Sequence, residues 1–171
     1  ELRRGYKNIR TSMYNIFVPP YKPLVPRNLR FGVEERTLFN GEIATPLNEQ
    51  EVRQAVEKIK AAGAEAIAVC FLHSYINKTH EDRAAAICQE LAEGLYVTTS
   101  HQVLPVWREY ERFSTTVVSA TIGPISARYL NRLEERLKER GFQGTLLIGQ
   151  ANGLVQTPQE SIRQAVYLLG S

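Results

Sequence analysis

The amino-acid sequence predicts a mixed α/β fold in which a mainly parallel sheet is covered by helices. Short, continuously apolar segments such as residues 66–72 and 146–148 are typical of strands that are buried on both faces. Amphipathic helical patterns alternate with these segments, and a glycine (Gly63, Gly94 or Gly141) follows each of the clearest helical patterns. This alternation indicates βαβ units, in which helical crossovers join parallel strands.

The first 27 residues differ from the rest of the chain in composition. Residues 14–18 favour a strand, and the four prolines between positions 19 and 26 exclude helix and favour extended backbone. We predict an extended, Pro-rich strap over residues 1–27 that lies across a domain surface, with a Pro-rich recognition ligand as the alternative. Residues 28–171 are then predicted to form an α/β domain, a fragment of a larger multi-lobe protein.

Turn and helix signals place the remaining elements. Asn40-Gly41 accepts positive φ at both positions of a hairpin turn, and Asn48 with Glu51 has the pattern of a helix-capping box. Gly123-Pro124 is expected to break or kink a long helical segment. The predicted elements begin with a hairpin (30–44), a helix ending near Gly63, a strand (66–72), a helix (79–93) and a strand (95–99). They continue with a helix (107–120), a helix to Arg140, a strand (146–148), a turn at Asn152-Gly153, a short helix from Thr157 and a strand (165–169). The helix ending near Gly63 is expected to bury Val52, Ala55, Val56 and Ile59, and the helix to Arg140 is expected to bury Ile125, Tyr129, Leu133 and Leu137.

Composition and charge argue against several classes of protein. Hydrophobic residues make up 43% of the chain and charged residues 23%, as in ordinary globular domains. The net charge of +3 is too small to indicate nucleic-acid binding, and the basic residues near the N-terminus alternate with apolar ones, which favours a solvated strand surface over a polyanion site. No apolar run reaches the roughly 20 residues that span a bilayer, and no signal-peptide pattern is visible. Cys70 and Cys88 fit reduced core thiols, so we expect a cytoplasmic protein.

The residues after the apolar segment 66–72 are candidates for ligand contact. His73 and Ser74 follow that segment directly, and the carboxyl edge of a parallel sheet is where α/β proteins bind ligands. The other interpretation is a loop in which they cap the next element. His80-Glu81-Asp82 lacks the i, i+3 or i, i+4 spacing of metal ligands on a helix. Acidic residues favour the first turn of a helix, so we prefer a capping role and predict no metal site.

A second candidate group lies in one predicted helix and comprises Glu109, Glu111 and Arg112. Paired carboxylates can perform general acid–base chemistry when their surroundings separate their pKa values. Glu109 and Arg112 are three residues apart and could instead form a simple ion pair on the helix surface. Both interpretations stay open at this point.

A third candidate group, Gln150, Asn152 and Gly153, follows a predicted strand and precedes a predicted helix. Many ligand-binding loops occupy such a position. The glycine spacing of a P-loop or of a dinucleotide fingerprint is absent, so a plain turn carrying two amides is the alternative.

Several short stretches also occur in an order and spacing that are specific as a set. They are residues 2–5 (LRRG), 22–27 (KPLVPR), 69–75 (VCFLHSY), His80-Glu81, 103–105 (VLP), 109–118 (EYERFSTTVV), Gly123-Pro124, Tyr129-Leu130 and 147–153 (LIGQANG). Together these stretches resemble the hydantoinase A/5-oxoprolinase family over essentially the whole chain. The resemblance implies an ATP-dependent amidohydrolase that opens a cyclic amide such as a hydantoin or 5-oxoproline. It also implies an actin-like, acetate-kinase-like ATPase fold, with ATP phosphorylating the amide oxygen.

The resemblance further implies cofactors, partners and roles for the candidate residues. The cofactors are ATP and Mg²⁺, and the partners are the remaining lobes of the same protein and a second, hydantoinase B-type subunit. The implied roles are catalysis for Glu109, Glu111 and Arg112, substrate binding for His73 and Ser74, and cofactor binding for Gln150, Asn152 and Gly153. Related subunits are ATP-dependent ketone carboxylases, so a carboxylase subunit is an alternative. A structural or subunit-contact domain without chemistry of its own is another.

The chain departs from the family pattern in its glycines. It contains no Asp-x-Gly-Gly-Thr phosphate loop, no Gly-rich segment follows Leu169-Gly170, and Leu154 stands where the family often has a second glycine. It also begins without Met and stops just after an apolar segment. We therefore expect an interior portion of a longer protein, which by itself does not hydrolyse ATP because phosphoryl transfer needs loops that hold the phosphates.

Overall fold

The computed structural model describes residues 23–169. The predicted strand at residues 14–18 and most of the predicted strap lie outside the described residues. The elements, in chain order, are β1 (Arg36–Thr37), β2 (Ile43–Thr45), α1 (Glu49–Ala61), β3 (Ala66–Val69), α2 (Thr79–Leu91), β4 (Tyr96–Thr99), α3 (Ser100–Val103), α4 (Glu109–Glu139), β5 (Ile148–Gly149), β6 (Val155–Gln156) and α5 (Pro158–Arg163), with 3₁₀ turns at Arg27–Leu29 and Ala165–Leu168. The predicted mixed α/β fold is confirmed.

The centre of the described structure is the parallel pair β3–β4, joined through α2. Ile67 and Val69 of β3 pack with α1 and α2 in one hydrophobic core. Successive side chains of a strand point to opposite faces, and α4 contacts both strands. Tyr96 of β4 lies directly against Gly123 of α4. The pair is therefore covered by helices on both faces, as the apolar run of residues 66–72 predicts for β3.

The prediction of a mainly parallel sheet is wrong for residues 23–169. Their strands form three two-stranded sheets, of which only β3–β4 is parallel. The pairs β1–β2 and β5–β6 are antiparallel hairpins. The expected final strand at residues 165–169 is instead the 3₁₀ turn Ala165–Leu168. A short apolar run is compatible with either a buried strand or a buried helical turn, so periodicity could not separate the two.

Local signals at the start of α1 are partly confirmed. The Asn48 side chain accepts a hydrogen bond from the Glu51 N–H at 3.2 Å, as expected of an N-cap. The reciprocal half of the capping box is wrong, because the Glu51 carboxylate accepts the Glu34 N–H at 2.7 Å. The Asn48 N–H donates to the Glu34 carbonyl. The segment before β1 thus takes the place of the expected intrahelical partner.

The β1–β2 turn differs from its prediction in the number of residues that adopt positive φ. Gly41 has φ 88°, whereas Asn40 has no positive φ. The Gly41 N–H donates to the Leu38 carbonyl, and the Leu38 N–H donates to the Glu42 carbonyl. This arrangement is a three-residue loop with glycine in the left-handed position. The hairpin prediction is confirmed, but only one of the two turn residues needs positive φ.

Helix α4 differs from its prediction in continuity and in the face that it buries. It is assigned as one helix of 31 residues that includes Pro124, so Gly123-Pro124 does not break it. Ile125 and Tyr129, which we expected to be buried, are 64% and 65% exposed. The buried face carries mostly small or polar side chains, namely Arg112, Thr116, Ser119, Ala120, Gly123 and Leu130. Close approach of α4 to the sheet selects this face, which the pattern of large apolar residues did not reveal.

Candidate functional site

Four polar residues meet at the carboxyl ends of β3 and β4, where the sequence placed the ligand edge. Ser74 comes from the turn after β3, Glu81 from the first turns of α2, Ser100 from the residue after β4, and Arg112 from the start of α4. All four side chains are buried. We call Ser74, Glu81, Ser100 and Arg112 the polar cluster. Charged groups at such depth require hydrogen-bond partners. Ser100 inside the cluster and Phe71, His101 and Val106 beside it supply them.

Glu81 is the acceptor at the centre of the polar cluster. One carboxylate oxygen accepts the Phe71 N–H at 2.8 Å and the Ser100 hydroxyl at 2.6 Å. The other accepts the His101 N–H at 2.9 Å and faces the His101 Nδ1 at 2.8 Å. Burial alone would raise the pKa of the Glu81 carboxyl, but these hydrogen bonds outweigh it and hold the pKa below its ordinary value. Glu81 is therefore an anion at neutral pH.

Arg112 supplies the balancing charge. Its side chain is buried, and each guanidinium nitrogen donates to a protein oxygen: Nε to the Ser100 hydroxyl at 3.1 Å, Nη1 to the Val106 carbonyl at 2.7 Å and Nη2 to the Phe71 carbonyl at 3.0 Å. The guanidinium also lies over the Tyr75 ring, 5.4 Å from its centroid. The structure thus places Arg112 with Ser74, as a buried donor whose hydrogen bonds run to the protein.

The hydroxyl protons of Ser74 and Ser100 can be assigned from this arrangement. Ser100 has one proton, and its 2.6 Å contact with the ionised Glu81 uses it. The 3.0 Å contact between the Ser74 and Ser100 hydroxyls must then be donated by Ser74. Ser74 therefore spends its proton inside the protein, and only its lone pairs are left for a ligand.

His73 stands out in conformation. It is the one residue other than glycine with positive φ, at 57°, within residues 23–169. This left-handed conformation is costly for a side chain with a Cβ and often marks a functional site. Its Nδ1 atom is buried and has no hydrogen-bond partner within the described part of the chain. Its ring lies 6.0 Å from the Tyr75 ring. His73 thus has hydrogen-bonding capacity to spare, a property shared among the candidates by Gln150, whose buried Oε1 atom also lacks a partner within residues 23–169.

Glu109 and Glu111 do not join the polar cluster. Glu109 is exposed at the first turn of α4. Glu111 is partly exposed and forms a loose ion pair with Arg108, at 3.8 Å. The two carboxylates therefore have different surroundings, while neighbouring Arg112 points into the cluster.

Gln150, Asn152 and Gly153 form the tip of the β5–β6 hairpin, which confirms the predicted turn. Gly153 has φ 83° and donates its N–H to the Gln150 carbonyl, and the Asn152 side chain accepts the Leu154 N–H at 3.0 Å. The Gln150 side chain is buried and donates to Gln156 at 2.6 Å. The hydrogen bonds of these three residues that lie inside the described part of the chain connect to the hairpin, and none reaches the polar cluster directly.

A row of amides nevertheless links this hairpin to the helix that carries Ser100. Gln156 donates from its Nε2 to the Gln164 side chain at 3.4 Å, and Gln164 donates to the Gln102 carbonyl in α3 at 2.8 Å. Helix α3 begins at Ser100. The two groups of candidates are therefore connected through side chains rather than in contact.

Sequence reasoning missed Glu81, Ser100 and His101. We assigned Glu81 to capping because of its place in a first turn, and that role is wrong. Its partners come from residues 10 to 20 positions away. Ser100 and His101 carried no signal, because the strand β4 was not expected to lead straight into a helix. His80-Glu81 did belong to the stretches that resemble the family, which was the one available hint.

Two other kinds of site have no candidate in residues 23–169. No helix in this range is long and apolar enough to cross a membrane. No group of three or more His, Cys, Asp or Glu side chains there is placed to hold a metal ion.

Comparison with known proteins places the chain in a family. The model of the hydantoinase/oxoprolinase N-terminal region matches residues 1–92, and the hydantoinase/oxoprolinase model matches residues 112–171. The first match contains His73, Ser74 and Glu81, and the second begins at Arg112. The chain belongs to the hydantoinase/oxoprolinase family, as its sequence stretches indicate.

Individual relatives support this assignment and differ in chemistry. The chain is 39% identical over 157 residues to an uncharacterized protein of Methanocaldococcus jannaschii, covering 88% of the chain and 23% of that protein. It is 35% identical over 153 residues to the caprolactamase subunit alpha of Pseudomonas jessenii, covering 90% and 22%. It is also 37% identical over 123 residues to the acetone carboxylase beta subunit of Xanthobacter autotrophicus, covering 70% and 17%.

Solved structures agree with the sequence matches. The crystal structure of the ATP-dependent caprolactamase from Pseudomonas jessenii superposes with a TM-score of 0.77 at 33% identity, over 90% of this chain and 22% of that one. The nucleotide-free acetone carboxylase structure gives a TM-score of 0.73 at 33% identity, over 86% and 22%. The chain spans about a fifth of the length of these relatives.

Proposed function

We propose that this chain is part of an ATP-dependent hydrolase that opens a cyclic amide. The observation that supports this most directly is the likeness to the Pseudomonas jessenii caprolactamase, in sequence over 90% of the chain and in structure with a TM-score of 0.77. Proteins named 5-oxoprolinase from Pestalotiopsis fici and Saccharomyces cerevisiae match about half of the chain. The names of these relatives denote enzymes of cyclic amides.

His73 is the residue that we propose to contact the substrate. A neutral imidazole carries one donor and one acceptor nitrogen, and either suits an amide, which offers both an N–H and a carbonyl oxygen. The buried Nδ1 without a partner supports this role. Ser74 would add an acceptor, since its proton is held by Ser100. Glu109 and Glu111 stay predictions as acid–base residues, and their partial exposure is compatible with contact to a second lobe.

The described residues do not by themselves fit the phosphates of ATP. Phosphate loops present several free backbone N–H groups to the anion. In the β5–β6 hairpin the N–H groups of residues 150, 151, 153 and 154 all donate to protein oxygens. Gln150, Asn152 and Gly153 could at most contribute the Asn152 amide. We therefore propose that ATP and Mg²⁺ are held mainly by other parts of a longer protein with an actin-like ATPase fold.

A ketone carboxylase is the second candidate function. The acetone carboxylase beta subunit of Xanthobacter autotrophicus and the acetophenone carboxylase gamma subunit of Aromatoleum aromaticum match 70% and 77% of the chain. These shares are smaller than the 90% covered by the caprolactamase subunit, which is why we favour the cyclic amide. A structural or subunit-contact role is the third candidate, because relatives are subunits by name. We further propose a hydantoinase B-type partner subunit and a cytoplasmic location.

Substrate-stimulated ATP turnover by the full-length protein, with its partner subunit, separates these functions. We expect ADP release to rise with caprolactam, hydantoin or 5-oxoproline, together with a ring-opened product detected by mass spectrometry. Stimulation only by acetone or acetophenone with bicarbonate would instead establish the carboxylase. Stimulation by neither would leave a role in structure.

Variants of the candidate acids test where the chemistry lies. Glu109→Gln and Glu111→Gln should each lower the turnover of the cyclic amide, because general acid–base catalysis contributes typically about 10²- to 10⁴-fold. Glu93→Gln, at an exposed glutamate outside the site, is the matched control. Unchanged turnover in both test variants would remove the acid–base assignment.

A further inference from the structure

We propose that Arg112 is a positioning residue for His73. Its guanidinium contacts the chain before and after His73, and these contacts hold the imidazole where a substrate amide can reach it. This inference rests on the proposed function in one respect, namely that His73 contacts the substrate. It changes the role expected for Arg112 from the sequence, where Arg112 was placed among the catalytic residues.

The first contact of Arg112 is with Phe71, two residues before His73. Arg112 Nη2 donates to the Phe71 carbonyl at 3.0 Å. The Glu81 carboxylate accepts the Phe71 N–H at 2.8 Å. Both peptide groups of one residue are therefore tied to a buried, oppositely charged pair. Hydrogen bonds to charged groups are stronger than neutral ones, so the backbone has little freedom as it enters the turn.

The second set of contacts is with the two residues after His73. The Arg112 guanidinium lies over the Tyr75 ring at 5.4 Å. Its Nε donates to the Ser100 hydroxyl at 3.1 Å, and that hydroxyl accepts from Ser74 at 3.0 Å. A single planar side chain thus touches the turn before and after His73. Arginine suits this task because its fork donates in several directions at once and its face stacks on rings.

The backbone conformation of His73 explains why these contacts of Arg112 are needed. A residue with a Cβ adopts φ 57° only when its surroundings over-determine it. Downstream, the His73 carbonyl accepts the N–H groups of Ile76 and Asn77 at 3.0 and 3.1 Å. Those bonds close the turn at one end only. The contact of Arg112 with Phe71 holds the chain on the upstream side of His73, and the contacts to Ser74 and Tyr75 add to the downstream bonds.

A lysine at position 112 keeps the positive charge but loses the fork, which makes Arg112→Lys the informative change. Arg128→Lys is the matched control, because Arg128 lies on the same helix, is exposed and pairs with Glu65 at 3.4 Å. His73→Gly removes the imidazole and tolerates the positive φ. Combining Arg112→Lys with His73→Gly shows whether Arg112 acts through His73.

The first measurement is kcat/KM of the full-length protein for the cyclic amide that it consumes. We expect Arg112→Lys to lower kcat/KM by about 100-fold, as for a misplacement of about 1 Å at a reacting site, and Arg128→Lys to leave it unchanged. In the His73→Gly background, Arg112→Lys should have almost no further effect. An equal loss in both backgrounds would mean that Arg112 acts on overall structure and would overturn the proposal.

The second measurement does not depend on any substrate. Diethyl pyrocarbonate modifies histidine rings, and mass spectrometry gives the rate at each position. In Arg112→Lys of the full-length protein we expect His73 to react severalfold faster, while His80, which is held by Glu35 at 2.8 Å, keeps its rate. Faster reaction of His73 in a protein that turns over no cyclic amide would retain the positioning role and refute only the proposed function. Equal changes in the reaction rates of His73 and His80, or no change at either, would overturn the positioning role of Arg112.

Should Arg112→Lys fail to fold, Ser100→Ala provides a second test. It removes the hydroxyl that links Arg112 Nε to Ser74 and leaves the contact of Arg112 with the Phe71 carbonyl in place. We expect a smaller rise in the reaction rate of His73, again without a change at His80. An unchanged rate at His73 would overturn the proposal.

Discussion

Gly123→Ala tests the packing of α4 on the sheet. An ideal Cβ at position 123 would lie 2.3 Å from two atoms of the Tyr96 ring, well inside the 3.0 Å that Cβ contacts essentially never cross. The ring cannot swing aside freely, because its hydroxyl donates to the Ile162 carbonyl at 2.6 Å. Alanine gains about 1 kcal/mol over glycine inside a helix, whereas overpacking a core costs roughly 1–3 kcal/mol and occasionally more.

A contact this short belongs at the upper end of that cost, about 3 kcal/mol. With the helix gain subtracted, we expect Gly123→Ala to lower the free energy of unfolding by about 2 kcal/mol. Urea unfolding, followed by circular dichroism, measures this as a lower midpoint at an unchanged slope. The control is the same substitution in a Tyr96→Ala background, where the space is open and the sign should reverse to a gain of about 1 kcal/mol. A native-background variant as stable as the wild type would refute the packing argument.

Three further predictions concern single contacts. Glu81→Gln should cost roughly 3 kcal/mol at pH 7, because four donors lose an anionic acceptor. The pKa of Glu81 is lower in the folded protein than the ordinary value of 4.5. Its contribution to the free energy of unfolding is therefore present above that ordinary value and is lost as pH falls through the lower folded value. Urea midpoints of the variant should depend less on pH between 5 and 2 than those of the wild type. Asn48→Ala should cost about 1 kcal/mol through loss of the N-cap, and an unchanged melting temperature would contradict the cap. Burial raises the pKa of the Cys88 thiol to about 11, so at pH 8 roughly one molecule in a thousand carries the reactive thiolate. Alkylation of Cys88 by iodoacetamide, measured by mass spectrometry, should therefore be slow in buffer and fast in urea. Equal rates under the two conditions would contradict the burial of the thiol.

Local patterns carried the fold prediction furthest. Asn48, Gly63 and Thr157 mark helix ends that the structure confirms, because a cap or a stop depends on a few neighbouring residues. Strand β3 was visible in the continuous apolar run of residues 66–72. Which face of α4 turns inward was not, since Ile125 and Tyr129 repeat at helical spacing whether or not anything covers them. Periodicity shows that a face is apolar, but the packing partner decides whether it is buried.

The candidate site was predictable only in part for a similar reason. The strand order placed His73 and Ser74 at the edge where the polar cluster lies. That Arg112 would lie near them could not be read from a separation of 38 positions, and Glu81 was misassigned because its donors come from two other segments, the turn after β3 and helix α3. Positive φ at His73 also had no local signal, since the turn at residues 72–76 contains no glycine, asparagine or aspartate. Interactions that depend on tertiary approach leave little trace in spacing.

The outward face of α4 has a practical consequence for anyone who produces residues 1–171 alone. Ile125, Tyr129 and Leu147 are each more than half exposed and lie together along one groove, with Leu133 and Leu146 beside them. Contiguous apolar surface of this kind promotes self-association. Solutions of the isolated chain should therefore form larger species as concentration rises, and light scattering would show it. Tyr129→Lys, on the exposed side of the helix, is the substitution that we would introduce first to keep such samples monodisperse.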